Sequence, residues 1–195
     1  MLEKDKYSLS KLNHDITLIG FSGKNGSGKT TVATELSKIF TENMRIMSEK
    51  ISFASAVKDC ARRFFFWNGE KDIEGRHLLQ WLGTDVGRVY DENIWVKHLV
   101  LTIEKISLYY YDVSKLIIIV DDVRFDNEAK WIRNCGGHVF QIKRHCETQL
   151  ENHASEQGIS PTLITEILDM DNIFSVPFDA AHYIITAYFK ELYDK

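Results

Sequence analysis

Between Gly23 and Thr30 the chain reads GKNGSGKT, which puts Gly23, Gly28, Lys29 and Thr30 in the fixed places of G-x-x-x-x-G-K-[ST]. Those residue types at that spacing suit a chain of phosphates. Gly23, Gly26 and Gly28 allow a tight turn whose N–H groups, with those of Asn25, Ser27 and Thr31, point inward as the next helix begins. Lys29 would reach the β/γ-phosphates of a nucleoside triphosphate such as ATP, and the Thr30 hydroxyl would hold Mg²⁺. A second grouping is Asp121-Asp122-Val123-Arg124. An aspartate there is placed to orient a Mg²⁺ shell or an attacking oxygen, and Arg124 to bind phosphate. Asp121 is assigned to the metal and Asp122 to catalysis, an order that the residue types alone leave interchangeable, since one of the two can simply end a strand.

These side chains need elements to hold them. Ile16, Leu18, Ile19 and Phe21 predict a buried strand before the loop, and Val32, Ala33, Leu36, Ile39 and Phe40 recur at helical spacing after it. Residues 1–14 are a charged, aperiodic leader, and 41–49 a polar connection. Lys50 to Phe53 predicts a short strand. From Ala54 a helix follows whose Val57, Cys60, Ala61, Phe64 and Phe65 form one apolar face, with Lys58, Arg62 and Arg63 on its other sides. Asn68-Gly69 signals a turn.

From about Arg76 to Tyr90 another helix is predicted, with Leu79, Leu82, Val86 and Val89 as its apolar stripe and Arg76, Gln80, Thr84 and Arg88 on the far side. A polar stripe is by default a solvated face. Gly83 and Gly87 lie toward it, each costing about 1 kcal/mol relative to alanine in a helix interior, which points to a ligand or a backbone coming close. Asp91 to Asn93 caps a third helix running to about Tyr109, in whose first turn Trp95 either packs in the core or stacks on a base. Leu116 to Val120 predicts a central strand buried on both faces. Asn127 or Asp126 caps the next helix, with Ala129, Ile132 and Cys135 on one face and Gly136-Gly137 as its stop, and His138 to Ile142 is a further strand. Lys143, Arg144 and His145 lead into the polar run CETQLENHASEQGISP, which suits a lid closing on phosphates. An apolar segment over about 167–178, a last strand at His182 to Thr186 and a short terminal helix complete the prediction.

Composition narrows the function classes. With 195 residues, 44% hydrophobic and two prolines, the chain can bury one good core. A net charge of −4 argues against a nucleic-acid groove, because phosphate-backbone binders carry a basic excess. Cys60, Cys135 and Cys146 are an odd number without C-x-x-C spacing, which favours a reducing cytoplasm over a disulfide framework or zinc site. His145, Cys146 and His153 likewise lack paired metal-ligand spacing. The first residues lack a signal-peptide core, and no apolar run approaches the ~20 residues of a membrane span. Free nucleotides, held by a few local cations, remain as partners.

Taken together, GKNGSGKT at 23–30, FASAVKD at 53–59, LLQWLGTDVGR at 78–88, DVRFDNE at 122–128 and HASEQG at 153–158 make the sequence similar to the deoxynucleoside monophosphate kinases best represented in bacteriophages. The first motif specifies only the P-loop class, and the later ones discriminate. The resemblance implies a P-loop NTPase fold, three-layer α/β/α with a central, mostly parallel sheet, plus an acceptor-binding arm and a lid. It implies one kinase domain over 1–195, its core about 15–52 and 113–195, its helical acceptor-binding region about 53–112 and its lid about 143–160. The reaction implied is transfer of the γ-phosphoryl group of ATP, with Mg²⁺, to a deoxynucleoside monophosphate in the cytoplasm, a host cytoplasm if the chain is viral. Carried over by motif, Gln80, Gly83 and Thr84 match the acceptor pocket, and Asp122, Arg124 and Glu128 border both substrates. Lys58, Arg76, Arg88 and Trp95 stand around that pocket, and Arg144 and Glu156 belong to the more variable lid. A homodimer is compatible, because periodicity cannot separate an interface from a core.

Three other functions fit the motifs less well. A nucleotide-hydrolysing switch lacks its Asn-Lys-x-Asp and Asp-x-x-Gly motifs here. A kinase of another phosphorylated metabolite shares the strand-end Asp-x-Arg with a downstream Ser-Glu, as in phosphomevalonate kinase. A polynucleotide 5′-kinase would need a basic groove that the composition does not offer.

Overall fold

Leu116, Ile118 and Val120 point to one face of strand β3 (Lys115–Val123) and Ile117 and Ile119 to the other, and the two sets are buried in different cores. That two-residue alternation within a continuous apolar run is what a strand covered on both faces requires. The computed structural model describes residues 7, 9, 15–145 and 158–193. Five strands form one all-parallel sheet: β1 (Asp15–Ser22), β2 (Met47–Ile51), β3, β4 (His138–Lys143) and β5 (Glu166–Asp169), in the order β2-β3-β1-β4-β5. The chain is a three-layer α/β/α structure.

On one side of the sheet, α1 (Lys29–Lys38) and α7 (Pro177–Tyr188) bury Val32, Ala33, Leu36, Ala181, Ile184 and Ile185 against Ile19, Phe21, Ile117 and Ile119. On the other, α2 (Ala54–Phe65), α5 (Ile94–Tyr109) and α6 (Asp126–Asn134) pack Val57, Leu99, Ile103, Ala129 and Ile132 against Leu18, Leu116, Ile118 and Val120. Tyr7 and Leu9 join this second core, and the Tyr7 carbonyl accepts from Trp131 Nε1 at 3.1 Å. Between β2 and β3 the chain inserts α2, α3 (Ile73–Gln80), a π-helical turn (Trp81–Val86), α4 (Gly87–Tyr90) and α5. The Asp72 carboxylate caps α3 by accepting the Gly75 N–H at 2.7 Å.

Several sequence expectations are corrected. The segment His182 to Thr186 is not a strand but the middle of α7, so β5 is the last strand. Its buried residues Ala180, Ala181, Ile184 and Ile185 are spaced by one turn, and Pro177 starts the helix where a missing N–H costs nothing. The strand expected at Lys50 to Phe53 begins earlier, at Met47, inside the stretch assigned to a connection. In the predicted helix from Arg76 to Tyr90 only Leu82 of the apolar stripe is buried, while Val86 and Val89 are exposed. The π turn adds a residue to that rotation and swings the later positions off the stripe. Phe64 and Phe65, assigned to the buried face of α2, are exposed as well. The caps expected of Asp126 or Asn127 fall inside the first turn of α6. Residues 146–157, with most of the predicted lid including Cys146, His153 and Glu156, lie outside the described residues.

Candidate active site

The phosphate loop joins the end of β1 to the start of α1. Gly23 (φ 136°), Gly26 (φ 79°) and Gly28 (φ 98°) all take the left-handed backbone that a side chain disfavours. At Gly23 a Cβ would also sit 2.4 Å from the Ile142 carbonyl oxygen. Lys29 is buried, and its Nζ donates to the carbonyls of Gly23 and Lys24 at 2.7 Å each. Arg144, just past β4, stands beside the loop, with its Nη1 3.7 Å from where a Cβ on Gly28 would lie. Asn25 and Gly26 are exposed, as are Thr30 and Thr31, whereas Ser27 is buried.

Beside this loop the edge of β3 is irregular. Gly20 pairs with Val120 and Ser22 with Val123, so three steps along β3 oppose two along β1. A bulge of this kind re-aims side chains, and here it falls on the doubled acid. In a regular strand Asp121 and Asp122 would face opposite sides of the sheet. Instead both line the same cleft.

That cleft, about 410 Å³, runs from Lys29 and Thr30 to the inserted helices. Of the residues expected around an acceptor, Lys58, Arg76, Gln80, Gly83, Thr84, Arg88, Trp95, Asp122, Arg124 and Glu128 all line it. Glu156 lies outside the described residues. Ser52, Phe53, Val57, Lys71, Leu79 and Phe125 also line the cleft and were not anticipated. Phe53 falls within the FASAVKD motif, which is the signal that would have found it. Phe125 falls within DVRFDNE and Leu79 within LLQWLGTDVGR in the same way, whereas nothing in one dimension points to Lys71.

Hydrogen bonds fix part of the polar lining. The Asp122 carboxylate accepts the backbone N–H of Phe53 at 2.8 Å and of Ala54 at 2.9 Å. Burial pushes its carboxyl above the usual range, opposed by those two N–H groups. Glu128 is buried and accepts the N–H of Arg124 at 2.8 Å and of Phe125 at 3.1 Å, so it caps α6. Its other oxygen pairs with Arg88 Nη2, and burial, working against Arg88, pushes this carboxyl up to about 7. The Arg88 guanidinium lies 3.7 Å over the Phe125 ring. Arg88 is therefore held by a carboxylate and an aromatic face at once.

Two expectations about the helical insertion resolve differently. Trp95 is buried, its Nε1 donates to the Gly83 carbonyl at 2.7 Å, and its ring stacks on His98, so it builds the cleft floor as a core residue. A Cβ on Gly87 would lie 2.5 Å from that ring, so Gly87 lets a side chain approach closely. At Gly83 a Cβ would meet only Val57, at 3.7 Å, on the wall of the cleft.

The cleft holds six cationic side chains, Lys29, Lys58, Lys71, Arg76, Arg88 and Arg124, against three carboxylates, in a chain whose net charge is −4. Such a local excess attracts multiply charged anions. Thr30 and Asp121 offer oxygens to the same space, and Asp122 has both of its oxygens on backbone N–H groups. This donor set fits Mg²⁺, which takes one or two carboxylates and completes its shell with water and phosphate oxygens. Among the described residues no group of three or more His, Cys, Asp or Glu side chains could hold a metal by itself. None of the described helices is long and apolar enough to cross a membrane.

Residues 37–175 match the deoxynucleotide monophosphate kinase family. A protein of Acanthamoeba polyphaga mimivirus, provisionally named a deoxynucleotide monophosphate kinase, is 31% identical over 179 residues, covering 80% of this chain and 89% of its own. Among solved structures, a mutant APS kinase of Mycobacterium tuberculosis superposes with a TM-score of 0.44 at 12% identity, over 93% of this chain and 99% of that one. The protein APE1195 does so with a TM-score of 0.48 at 15% identity, over 91% and 99%. Neither structural likeness bears on what this chain acts upon. The family match spans well over half of the sequence and the viral relative four fifths of it, and the chain therefore belongs to the deoxynucleotide monophosphate kinase family and is a nucleotide kinase.

Proposed function

We propose that this chain transfers the γ-phosphoryl group of ATP to the phosphate of a deoxynucleoside monophosphate, giving the diphosphate and ADP. The observation that carries the reading is the meeting, in one cation-rich cleft, of the phosphate-loop residues Lys29 and Thr30 with Gln80, Thr84 and Arg88 of the helical insertion. The loop is the donor end and residues 53–112 are the acceptor arm. Arg124 and Asp121, at the bulged end of β3, line the same cleft.

The acceptor phosphate is already ionised, so the chemistry asks for alignment and charge neutralisation rather than a strong base. Lys29 and Arg124 stabilise the charge that spreads over the transferred group's oxygens. Thr30 and Asp121 would hold Mg²⁺, which supplies further neutralisation of the phosphate oxygens when bound. Gln80 and Thr84 offer the hydrogen-bonding groups that face the acceptor, with Arg88 fixed beside them by Glu128 and Phe125. Arg144, beside Gly28, is positioned to reach donor phosphates.

A coupled assay of ADP formation from Mg·ATP tests this, run with each deoxynucleoside monophosphate, its ribose counterpart, mevalonate phosphate, and no acceptor. The expected result is turnover that depends on one or more deoxynucleotides. Equal ADP in every tube would make the protein an ATPase and remove the acceptor site from the account.

A further inference from the structure

Two adjacent carboxylates enter the cleft at the β3 bulge, yet their bonding differs. Both Asp122 oxygens accept backbone N–H groups from the first turn of α2, across 68 and 69 residues of sequence. Those amides belong to the opening of the helix that starts the inserted arm, where the helix itself provides no acceptor. Phe53, at the N-cap position, has helical backbone and no side-chain cap of its own. A carboxylate from the core thus takes the place of that missing cap, and its negative charge sits at the positive end of α2.

We infer that Asp122 is a positioning residue, which fixes the first turn of α2 at the edge of the cleft by capping it, while Asp121 alone of the pair serves the phosphate and metal side. The geometry explains why two acids stand where one suffices for the chemistry. Without the bulge, only one of them would reach the cleft edge, and the first turn of α2 would lose its cap or the metal its carboxylate. Phe53, Ala54 and Val57 of the anchored turn line the acceptor side of the cleft, so a shift of that turn misplaces the acceptor relative to Lys29. Misplacement of about 1 Å costs as much as a hundredfold in rate when alignment carries the catalysis. The inference rests on the kinase reading given above for its kinetic consequence but not for the clamp itself.

The test compares full-length Asp122→Asn and Asp121→Asn with the wild type in three readouts. An asparagine at 122 keeps one acceptor oxygen and turns an N–H donor toward the second backbone donor, so the cap is half lost with little change of volume. The expected result for Asp122→Asn is a kcat/KM for the deoxynucleotide lowered about tenfold, an unchanged Mg²⁺ concentration for half-maximal rate, and about tenfold faster hydrogen exchange at the Phe53 and Ala54 amides. Asp121→Asn is expected to leave that exchange alone and to raise the Mg²⁺ requirement. A shifted Mg²⁺ requirement in Asp122→Asn, with exchange and acceptor kcat/KM as in the wild type, would overturn the assignment. Should the wild type show no acceptor-dependent turnover, the kinase reading fails separately, and amide exchange decides the clamp: faster in Asp122→Asn supports it, unchanged refutes it.

Discussion

At the scale of single residues, several of the charged groups in the cleft are already engaged within the protein. Glu128 and Asp122 are held by backbone N–H groups, and Glu128 by Arg88 as well, so their charges shape the cleft through neighbours. Arg124 lines the cleft with its backbone N–H fixed by Glu128, which sets where its side chain begins. Replacing Arg124 with alanine is expected to lower kcat by about 10²- to 10³-fold, the usual effect of removing one preorganised stabiliser of transition-state charge. The KM for ATP should change far less, and steady-state kinetics with varied ATP check the split. An unchanged kcat would take Arg124 out of the mechanism. The candidates were legible in the sequence because Lys, Arg and Asp stood at motif spacings. The division between Asp121 and Asp122 was not, since a bulge leaves no mark on residue types.

Elements explain why the motifs meet, and also where periodicity misleads. A single stripe through Leu79, Leu82, Val86 and Val89 requires 100° per residue, and the π turn at Trp81–Val86 breaks that regularity. His182 to Thr186 lies in a helix rather than the expected strand, and the four-residue spacing of Ala180, Ala181, Ile184 and Ile185 with the leading Pro177 is the signal that marks it. The two glycines of the arm give a paired test. Gly87→Ala should destabilise by about 1–3 kcal/mol, because its methyl group meets the Trp95 ring and overpacks a filled site. Gly83→Ala has room and should stabilise by up to about 1 kcal/mol while narrowing the cleft. Denaturant unfolding of both variants checks the opposite signs.

The turn after β5 is held by Asp169, whose carboxylate accepts the N–H groups of Asp171 and Asn172, at 3.1 Å each, and pairs with Lys143 at 2.8 Å. Lys143, followed by the Asn172 side chain and these N–H groups, holds the Asp169 carboxyl far below the ordinary carboxylate range. A folded-state pKa lowered in this way adds stability above the unfolded value near 3.8, and that stability is lost as pH falls through the folded value. Thermal midpoints measured from pH 7 down to pH 2 should therefore drop below about pH 4 in the wild type. Asp169→Asn should start lower and fall less over the acid range.

Over the whole molecule, the parallel sheet brings the carboxyl ends of β1 and β3 together, and the insertion between β2 and β3 supplies the facing wall. The fold class was legible from one motif and two apolar runs, because strand, glycine loop and helix occur in the order that a P-loop needs. The strand order was not, since nothing in one dimension says that β1 separates β3 from β4. The charge balance is also a property of the whole: an acidic chain gathers six cations in one cleft, which suits two anionic substrates held for transfer between them. The most direct measurement follows phosphorus by NMR in a mixture of the protein, Mg·ATP and one deoxynucleoside monophosphate. A new pair of diphosphate resonances from the deoxynucleotide, growing in step with ADP while inorganic phosphate stays flat, is the predicted result. ADP that grows with inorganic phosphate, with the deoxynucleotide untouched, would contradict the account.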